Sequence, residues 1–397
     1  MFSVSPPVAE PLRVFSLFSG IGGFEQGLSR AGHVIVGMCE SDPAARSVLE
    51  FHFPGIQIEP DITKMATLPD CELLTAGWPC QNLSLAGGML GLAGAQSGLI
   101  SEVFRLIQSS RKKPRFVLLE NVAFALDLHT GHAVSSVIES LEDLGYSWAY
   151  RILDTQLFGL PQRRRRLFIL ACLEADPATI LLDGLNEDAF RPVANPELVG
   201  FYWTEGNKGL GWSPEAVPPL KGGSGVGIPS PPGVWDRRTG DFITPGITDA
   251  ERLQGFQPGW TSPACQIDRG ERRRWVLVGN AVSIPIVEWI GRRLGLAREE
   301  AGRHERIPDS PGLPRAAAGG PRSLRKAYIA RREGPSLLSR SSLAAFGLQN
   351  PAHLSVRAIS GFTRRYETSP LRLNSEFLDA LRDWPRRVAD DAENCAT

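Results

Sequence analysis

The sequence has no net charge, although it is rich in ionisable residues. Its 43 lysine and arginine residues balance 43 aspartate and glutamate residues. The chain therefore lacks the overall positive charge typical of many nucleic-acid-binding proteins, and any such partner would have to be bound by local basic stretches. With 397 residues, 42% of them hydrophobic, it can still bury a large core.

The sequence also lacks the cysteine pairs that structural zinc sites use. No two cysteines form a Cys-x-x-Cys pair, and His129 and His132 are the only closely spaced histidines. We therefore predict no metal site. The six cysteines are Cys39, Cys71, Cys80, Cys172, Cys265 and Cys395.

Features of secretion and of membrane insertion are missing as well. Residues 1–14 have neither the charged start nor the apolar core of a signal peptide. No apolar run approaches the roughly 20 residues of a membrane span. We expect a soluble cytoplasmic protein with reduced cysteines and no membrane partner.

Short apolar runs alternate with amphipathic segments over residues 12–170. This alternation predicts right-handed βαβ units, and hence an α/β fold with a mostly parallel, doubly wound sheet. The predicted strands are 13–18, 33–40, 71–76, 115–120 and 166–173. The predicted helices between them are 24–32, 42–53, 99–110 and 133–145.

A glycine-rich loop, FSGIGG (18–23), follows the first predicted strand. Glycines at this position let the backbone approach a nucleotide closely. Glu40 ends the second strand, where an acid can bind ribose hydroxyls, and Asp61 is placed to meet an adenine amino group. The alternative is a tight turn, a surface acid and a helix cap. The G-x-G-G spacing disfavours a standard dinucleotide site.

A thiol and an acid follow the third and fourth predicted strands. Cys80 lies in GWPCQNLS (77–84), and Glu120 and Asn121 lie in LLENV (118–122). In an open parallel sheet both positions face the crevice at the carboxyl ends of the strands. A thiol becomes nucleophilic as the thiolate, which nearby positive charge favours. The alternatives are a buried, inert cysteine and a glutamate that caps a strand.

Four consecutive arginines, residues 163–166, precede the last of these strands. In an extended segment alternate side chains share a face. Arg164 and Arg166 would then point one way, and Arg163 and Arg165 the other way. One of these pairs could line the site while the other contacts phosphate. The alternative is a solvated basic face.

These segments, in this order, resemble the motifs of the DNA cytosine-5 methyltransferases. The resemblance covers roughly residues 12–295, and Cys80, Glu120 and the arginine run in this order are its most specific part. It implies an S-adenosylmethionine-binding Rossmann-like domain, a small target-recognition domain, and double-stranded DNA from which one cytosine is flipped out. The matching segments are FSGIGG, GWPCQNLS, LLENV, FGLPQRRRR, ERLQGF and VGNAVSIP.

By this resemblance, Cys80 attacks C6 of the cytosine and Glu120 holds N3 and the exocyclic amine. Arg166, with Arg164 beside it, stabilises the developing charge on O2. S-adenosylmethionine is the implied cofactor. Its implied contacts are Phe18, Gly20, Ile21, Gly23, Glu40, Asp61, Ile62, Pro79, Leu99, Asn280 and Val282.

The composition and the resemblance together predict four segments. Residues 12–174 form the first part of the catalytic domain, and 175–247, rich in glycine, proline and tryptophan, form the target-recognition domain. Residues 248–296 return to the catalytic domain. Residues 297–397 form a basic linker and a partly disordered C-terminal extension, with amphipathic pieces at 351–365 and 374–388.

We expect a monomeric bacterial or phage-encoded enzyme, acting alone or with a cognate restriction endonuclease. Three alternatives stay open at this point. One is a tRNA cytosine-5 methyltransferase, the second a catalytically silent DNA-binding protein, and the third a nicotinamide-dependent dehydrogenase.

Overall fold

The computed structural model describes residues 10–78, 98–182, 193–204, 209–222, 231–268, 270–295, 305–306, 313–320, 328–329, 341–371 and 374–394. The chain divides into two compact units. Unit 1 consists of the described parts of Met1–Asp154, Arg165–Ala189 and Val282–Leu337. Unit 2 consists of those of Thr155–Arg164, Phe190–Ala281 and Leu338–Thr397.

The strands are β1 (Arg13–Leu17), β2 (Val34–Cys39), β3 (Ile58–Glu59), β4 (Leu73–Gly77), β5 (Phe116–Val122), β6 (Ser147–Asp154), β7 (Arg165–Cys172), β8 (Leu198–Phe201), β9 (Ser213–Pro214), β10 (Gly233–Asp236), β11 (Asp241–Thr244), β12 (Glu305–Arg306), β13 (Ala316–Gly319), β14 (Tyr328–Ile329) and β15 (Ala352–His353). The helices are α1 (Gly23–Arg30), α2 (Pro43–His52), α3 (Leu99–Ser109), α4 (His132–Asp143), α5 (Pro177–Leu181), α6 (Ile247–Gln254), α7 (Glu271–Asn280), α8 (Ile284–Leu294), α9 (Leu343–Phe346), α10 (Val356–Glu367) and α11 (Ser375–Asn394).

Unit 1 is built on an eight-stranded sheet in the order β13-β6-β7-β5-β4-β1-β2-β3. Strands β3, β2, β1, β4 and β5 pair in parallel, whereas β7, β6 and β13 continue the sheet with antiparallel pairing. The predicted α/β fold with a mostly parallel sheet is confirmed, and all five predicted strands belong to it. Strands β3, β6 and β13 were not predicted. The central strands β1, β4 and β5 are buried along most of their length, and they read as nearly continuous apolar runs.

Glycines let helices α1 and α8 approach closely on one face of the sheet. A Cβ atom at Gly27 would lie 2.7 Å from Val287 Cβ, and one at Gly291 would lie 2.7 Å from Ala31 Cβ. Such distances are too short for any side chain larger than hydrogen. The late helix therefore packs beside α1, which starts the nucleotide-binding motif.

Unit 2 contains a five-stranded antiparallel sheet in the order β15-β11-β10-β8-β9. Helices α10 and α11 contribute to its aromatic core. The ring of Phe377 lies 5.1 Å from that of Phe201 and 5.3 Å from that of Trp235, centroid to centroid. Burial of such rings supplies much of the apolar stabilisation of a small sheet.

The predicted C-terminal extension is corrected by these contacts. Strand β13 lies at the edge of the sheet of unit 1, and residues 341–394 belong to unit 2. The buried carboxylate of Asp249 accepts hydrogen bonds from the backbone N–H groups of Gln349 and Asn350, at 2.8 and 2.9 Å. The amphipathic pattern predicted two helices, but it could not reveal that their apolar faces complete a distant sheet.

The return segment differs from its prediction too, because it divides at Ala281. Helices α6 and α7 belong to unit 2 and α8 to unit 1. Gln254, at the end of α6, donates to the carbonyls of Val278 and Ala281. Arg252 donates to the carbonyls of Phe346 and Gly347. Residues of ERLQGF thus join three segments of unit 2.

Within the described ranges, no helix is long and apolar enough to cross a membrane.

Candidate active site

The glycine loop makes a tight left-handed turn at the end of β1. Phe18, Gly20 and Gly22 have φ values of 56°, 57° and 88°. The N–H of Ser19 donates to Cys39 O at 3.1 Å, so the loop is tied to the end of β2. The turn thus lies at the carboxyl end of β1, where a nucleotide site is expected.

The loop glycines serve different purposes. A Cβ atom at Gly20 would meet nothing within 4 Å, so open space lies beside this residue. A Cβ atom at Gly23 would lie 2.7 Å from Val282 Cγ1, so Gly23 permits close packing. Ile21 is only 1% exposed, so a ligand would meet its backbone rather than its side chain.

Glu40 joins two loops at the same edge of the sheet. Its carboxylate accepts the N–H of Gly20 at 2.7 Å and the N–H of Asp42 at 2.8 Å. Asp42 in turn caps α2 by accepting the N–H groups of Ala44 and Ala45. The acid that ends β2 is thus held directly beside the open space at Gly20.

Asp61 and Ile62 lie in the segment that follows β3. Asp61 Oδ1 accepts the N–H of Thr63 at 3.0 Å and its hydroxyl at 2.7 Å, which lowers the pKa of Asp61. Asp61 is therefore a helix cap, whatever else it binds. Ile62 is buried, and Arg105 on α3 donates to its carbonyl at 3.2 Å. Leu99, at the start of α3, packs partly buried against the core.

The acid after the fourth predicted strand pairs with one of the arginines. Glu120 and Arg166 lie on the adjacent strands β5 and β7, and Arg166 Nε is 3.1 Å from Glu120 Oε1. Their side chains are only 11% and 15% exposed. A charge-assisted contact of this kind orients both groups strongly. The structure therefore unites Glu120 and Arg166 in one polar site.

Asn121 connects this pair to the segment that carries the predicted nucleophile. Its Nδ2 donates to Trp78 O at 3.2 Å, and its Oδ1 accepts the N–H of Val122 at 2.7 Å. In the ladder between β4 and β5, Gly77 lies directly opposite Glu120. The sequence did not predict the hydrogen bond between Asn121 and Trp78. Pro79 and Cys80 themselves lie outside the described residues.

The expected pairing of Arg164 with Arg166 is corrected. Arg164 is 1% exposed, and its guanidinium donates to the carbonyls of Leu220, Gly279 and Ala281, at 3.4, 3.1 and 2.8 Å. Those bonds commit it to the interior of unit 2.

The alternation argument fails here because the backbone is not extended before Arg165. The N–H of Arg164 bonds to Gln162 O, and the N–H of Gln162 bonds to Leu160 O, so these residues form tight turns. Strand β7 starts only at Arg165. Arg165 itself pairs with Asp154 at 3.3 Å, and Arg163 donates to Trp212 O at 2.9 Å.

The two late cofactor candidates fall in different units. Val282 packs against Gly23 in unit 1. Asn280 is exposed at the end of α7 in unit 2.

A family model for C-5 cytosine-specific DNA methylases matches residues 12–195. A type II methyltransferase of Bacillus subtilis (strain 168), M2.BsuMI, is 41% identical over 384 residues, which are 93% of this chain and 97% of that protein. The chain belongs to the C-5 cytosine-specific DNA methylase family. It is thus an enzyme, a DNA (cytosine-5-)-methyltransferase, and not a nicotinamide-dependent dehydrogenase.

Other methyltransferases agree with this assignment. The type II methyltransferase M.MspI of a Moraxella species is 29% identical over 306 residues, covering 72% of this chain and 71% of its own. Among solved structures, the Dnmt2 methyltransferase of S. pombe superposes with a TM-score of 0.52 and 17% identity, over 72% of this chain and 98% of that one. At that identity the likeness shows the fold alone.

Proposed function

We propose that this methyltransferase moves a methyl group from S-adenosylmethionine to C5 of a cytosine flipped out of a specific double-stranded DNA sequence. The proposed reaction passes through a covalent bond between Cys80 and C6 of the base. The observation that carries the proposal is the partly buried Glu120–Arg166 pair. Glu120 lies opposite Gly77 in the ladder between β4 and β5, and Gly77 precedes Cys80 by three residues in the sequence.

The chemistry starts from a base whose C5 atom is a weak nucleophile. The Cys80 thiolate adds to C6, and the electron pair of the C5–C6 double bond becomes available at C5. Glu120 holds N3 and the exocyclic amine, where hydrogen bonding makes C6 more electrophilic. Arg166, oriented by Glu120, stabilises the negative charge that develops on O2. Once C5 carries the methyl group, loss of the C5 proton to solvent lets the thiolate leave C6 by elimination.

S-adenosylmethionine supplies, when bound, a methyl group on a positively charged sulfur. The residues at the carboxyl edge of β1–β3 fit such a ligand. Gly20 borders open space that any larger side chain would fill, and Glu40 lies beside it. Phe18, Gly20 and the backbone of Ile21 would hold the cofactor at the loop, with Asp61, Ile62, Leu99 and Val282 around it.

The cellular role that fits best is the modification half of a type II restriction–modification system. Several similar proteins are named as type II methyltransferases, which supports this assignment. We accordingly propose double-stranded DNA as substrate, a cognate restriction endonuclease as functional partner, and a monomeric enzyme.

The deciding experiment is expression in a host that lacks cytosine methylation, followed by sequencing of the host DNA with a 5-methylcytosine-sensitive method. The wild type should produce methylated cytosines in one fixed context, and Cys80→Ala should produce none. Cys265→Ala is the matched control, since it removes a partly exposed thiol from unit 2. Unmodified DNA from a folded, soluble wild type would overturn the proposal, and methylated tRNA in its place would identify RNA as the substrate.

A further inference from the structure

A buried acid lies beside the glycine loop and has no part in the chemistry above. Glu25, in the first turn of α1, is 0% exposed. Among the described residues, neither of its carboxyl oxygens has a hydrogen-bond partner. The hydroxyls of Ser16 and Ser19 lie nearby and favour the ionised form. A buried acid without a partner is unfavourable for folding, so it calls for an explanation.

Burial places the titration of Glu25 in the physiological range. Desolvation raises the pKa of Glu25 to about 7; the two serine hydroxyls oppose this shift, and the negative charge of Glu40 adds to it. At neutral pH the carboxyl group is therefore near the midpoint of its titration. A nearby change in charge would move a proton on or off it.

The other charged groups on elements packed against α1 have partners of their own. Glu40 binds the N–H groups of Gly20 and Asp42. On α8, Glu288 pairs with Arg292 at 2.7 Å, and Arg293 donates to the carbonyls of Thr179 and Ile180. On β2, burial raises the pKa of Cys39 to about 12, so its thiol is uncharged.

Glu25 lies where its carboxyl group could become negatively charged when a cation binds nearby. The first turn of a helix favours negative charge, because the backbone N–H groups there point outward from the helix end. Ser19, beside Glu25, lies between Phe18 and Gly20, the loop residues assigned to the cofactor. S-adenosylmethionine held by these residues would carry a positive sulfonium, whereas the product left after methyl transfer would carry a neutral sulfur.

We propose that Glu25 is the buried counter-charge of the cofactor sulfonium, and that its carboxyl group releases a proton to solvent when S-adenosylmethionine binds. The O–H bond of Glu25 breaks, the electron pair stays on the carboxylate, and water takes the proton. After methyl transfer the sulfur is neutral, and Glu25 takes a proton back from solvent. The enzyme thereby binds its cofactor more tightly than the product and favours product release. This inference rests on the proposed function.

The test is calorimetric titration of the free enzyme with S-adenosylmethionine and with S-adenosylhomocysteine, in buffers of different ionisation enthalpy. At pH 7 the wild type should release about half a proton on binding the cofactor, and none on binding the product, because the carboxyl is then half ionised. The ratio of the two affinities should rise about tenfold between pH 6 and pH 8. Both ligands carry the same α-amino group, so its titration does not distinguish them.

Two variants test whether Glu25 is the group that releases the proton. Glu25→Gln should lose both the proton release and the pH dependence of the ratio, and it should bind the cofactor more weakly but the product unchanged. Glu288→Gln, which removes a negative charge from α8, should behave as the wild type. Retention of the release in Glu25→Gln would overturn the proposal.

A flat affinity ratio in the wild type would overturn it as well, even if Glu25→Gln failed to fold. The outcome also separates this inference from the proposed function. Methylated DNA together with cofactor binding that releases no proton would reject Glu25 alone, whereas binding of neither ligand would reject both.

Discussion

The two units of this methyltransferase are stabilised in different ways. Unit 1 combines a largely parallel sheet with helices that approach through glycines, and its polar groups gather at the strand ends. Unit 2 has a small antiparallel sheet, and buried charged side chains connect its segments to one another. Arg164, Asp249 and Glu251 are each at most 1% exposed, and each binds backbone N–H or carbonyl groups of distant residues. Local motifs therefore describe the first unit, whereas long-range contacts define the second.

The largest expected effect separates chemistry from folding in unit 1. Glu120→Gln keeps the shape of the side chain but loses the charge that Arg166 contacts. Methylation should fall on the order of 10²–10⁴-fold, while the melting temperature should stay close to that of the wild type. The measurement is single-turnover methylation beside thermal unfolding. Activity within threefold of the wild type would remove Glu120 from the site.

In unit 2, a substitution in the aromatic core should destabilise the folded protein rather than remove a catalytic group. Phe377 is 0% exposed and contacts several aromatic rings, so Phe377→Ala should lower the free energy of unfolding by about 3–5 kcal/mol. Phe51→Ala is the control, since Phe51 is 67% exposed and should change stability by less than about 0.5 kcal/mol. Denaturant titration measures both. Similar losses for the two variants would mean that α11 is not part of the core.

Two neighbouring arginines, Arg163 and Arg164, give a direct contrast within unit 2. Arg164→Met removes three hydrogen bonds to buried carbonyls and should destabilise the protein by about 3 kcal/mol. Arg163→Met, which removes one bond to Trp212 O, should have little effect on stability. Thermal unfolding monitored by tryptophan fluorescence reports both. A stable but inactive Arg164→Met protein would indicate that Arg164 is a catalytic residue after all.

The smallest effect concerns the anchor of α8 in unit 1. His33 Nδ1 accepts the N–H of Leu12 at 3.2 Å, and its Nε2 contacts Gly291 O at 3.0 Å. Burial lowers the pKa of His33, so the folded state favours the neutral ring. The stability that the neutral ring contributes is complete above the pKa of His33 in the unfolded chain. It is lost as the pH falls through the lower pKa of His33 in the folded protein. The free energy of unfolding should therefore fall between pH 7 and pH 5.

The comparison for this last prediction is His33→Gln, whose unfolding free energy should depend less on pH over that range. An unchanged pH dependence would show that other groups account for it.

The sequence predicted unit 1 well because its signals are local. The apolar runs gave five strands, and the glycine loop, Glu40 and Glu120 all follow strands whose carboxyl ends meet at one edge. The antiparallel strand β6 was missed, since SWAYRILD mixes aromatic, charged and apolar residues without a clear period. Arg166 was placed correctly beside Glu120, but Arg164 was not, because tight turns before Arg165 interrupt the alternation.

Unit 2 was less accessible to sequence reasoning. The side chains of Asp249 and Arg252 read as an ordinary surface pair on a helix, yet both bind residues about 100 positions later. The spacing of Ile359, Phe362 and Tyr366 predicts an apolar helix face, but it does not indicate which strand that face covers. Contacts of such separation follow from the packing of the whole domain rather than from any single segment.

The order of the segments has a consequence for biosynthesis. The sheet of unit 2 begins at Leu198, but the helix that closes its core ends at Asn394. At a translation rate of about 5–20 residues per second, this interval lasts roughly 10–40 s. During that time Phe201, Trp235 and Phe242 have left the ribosome without the rings that will cover them. The nascent chain therefore passes through an aggregation-prone stage with exposed aromatic side chains. A chaperone that binds the chain during this stage would raise the yield of active enzyme.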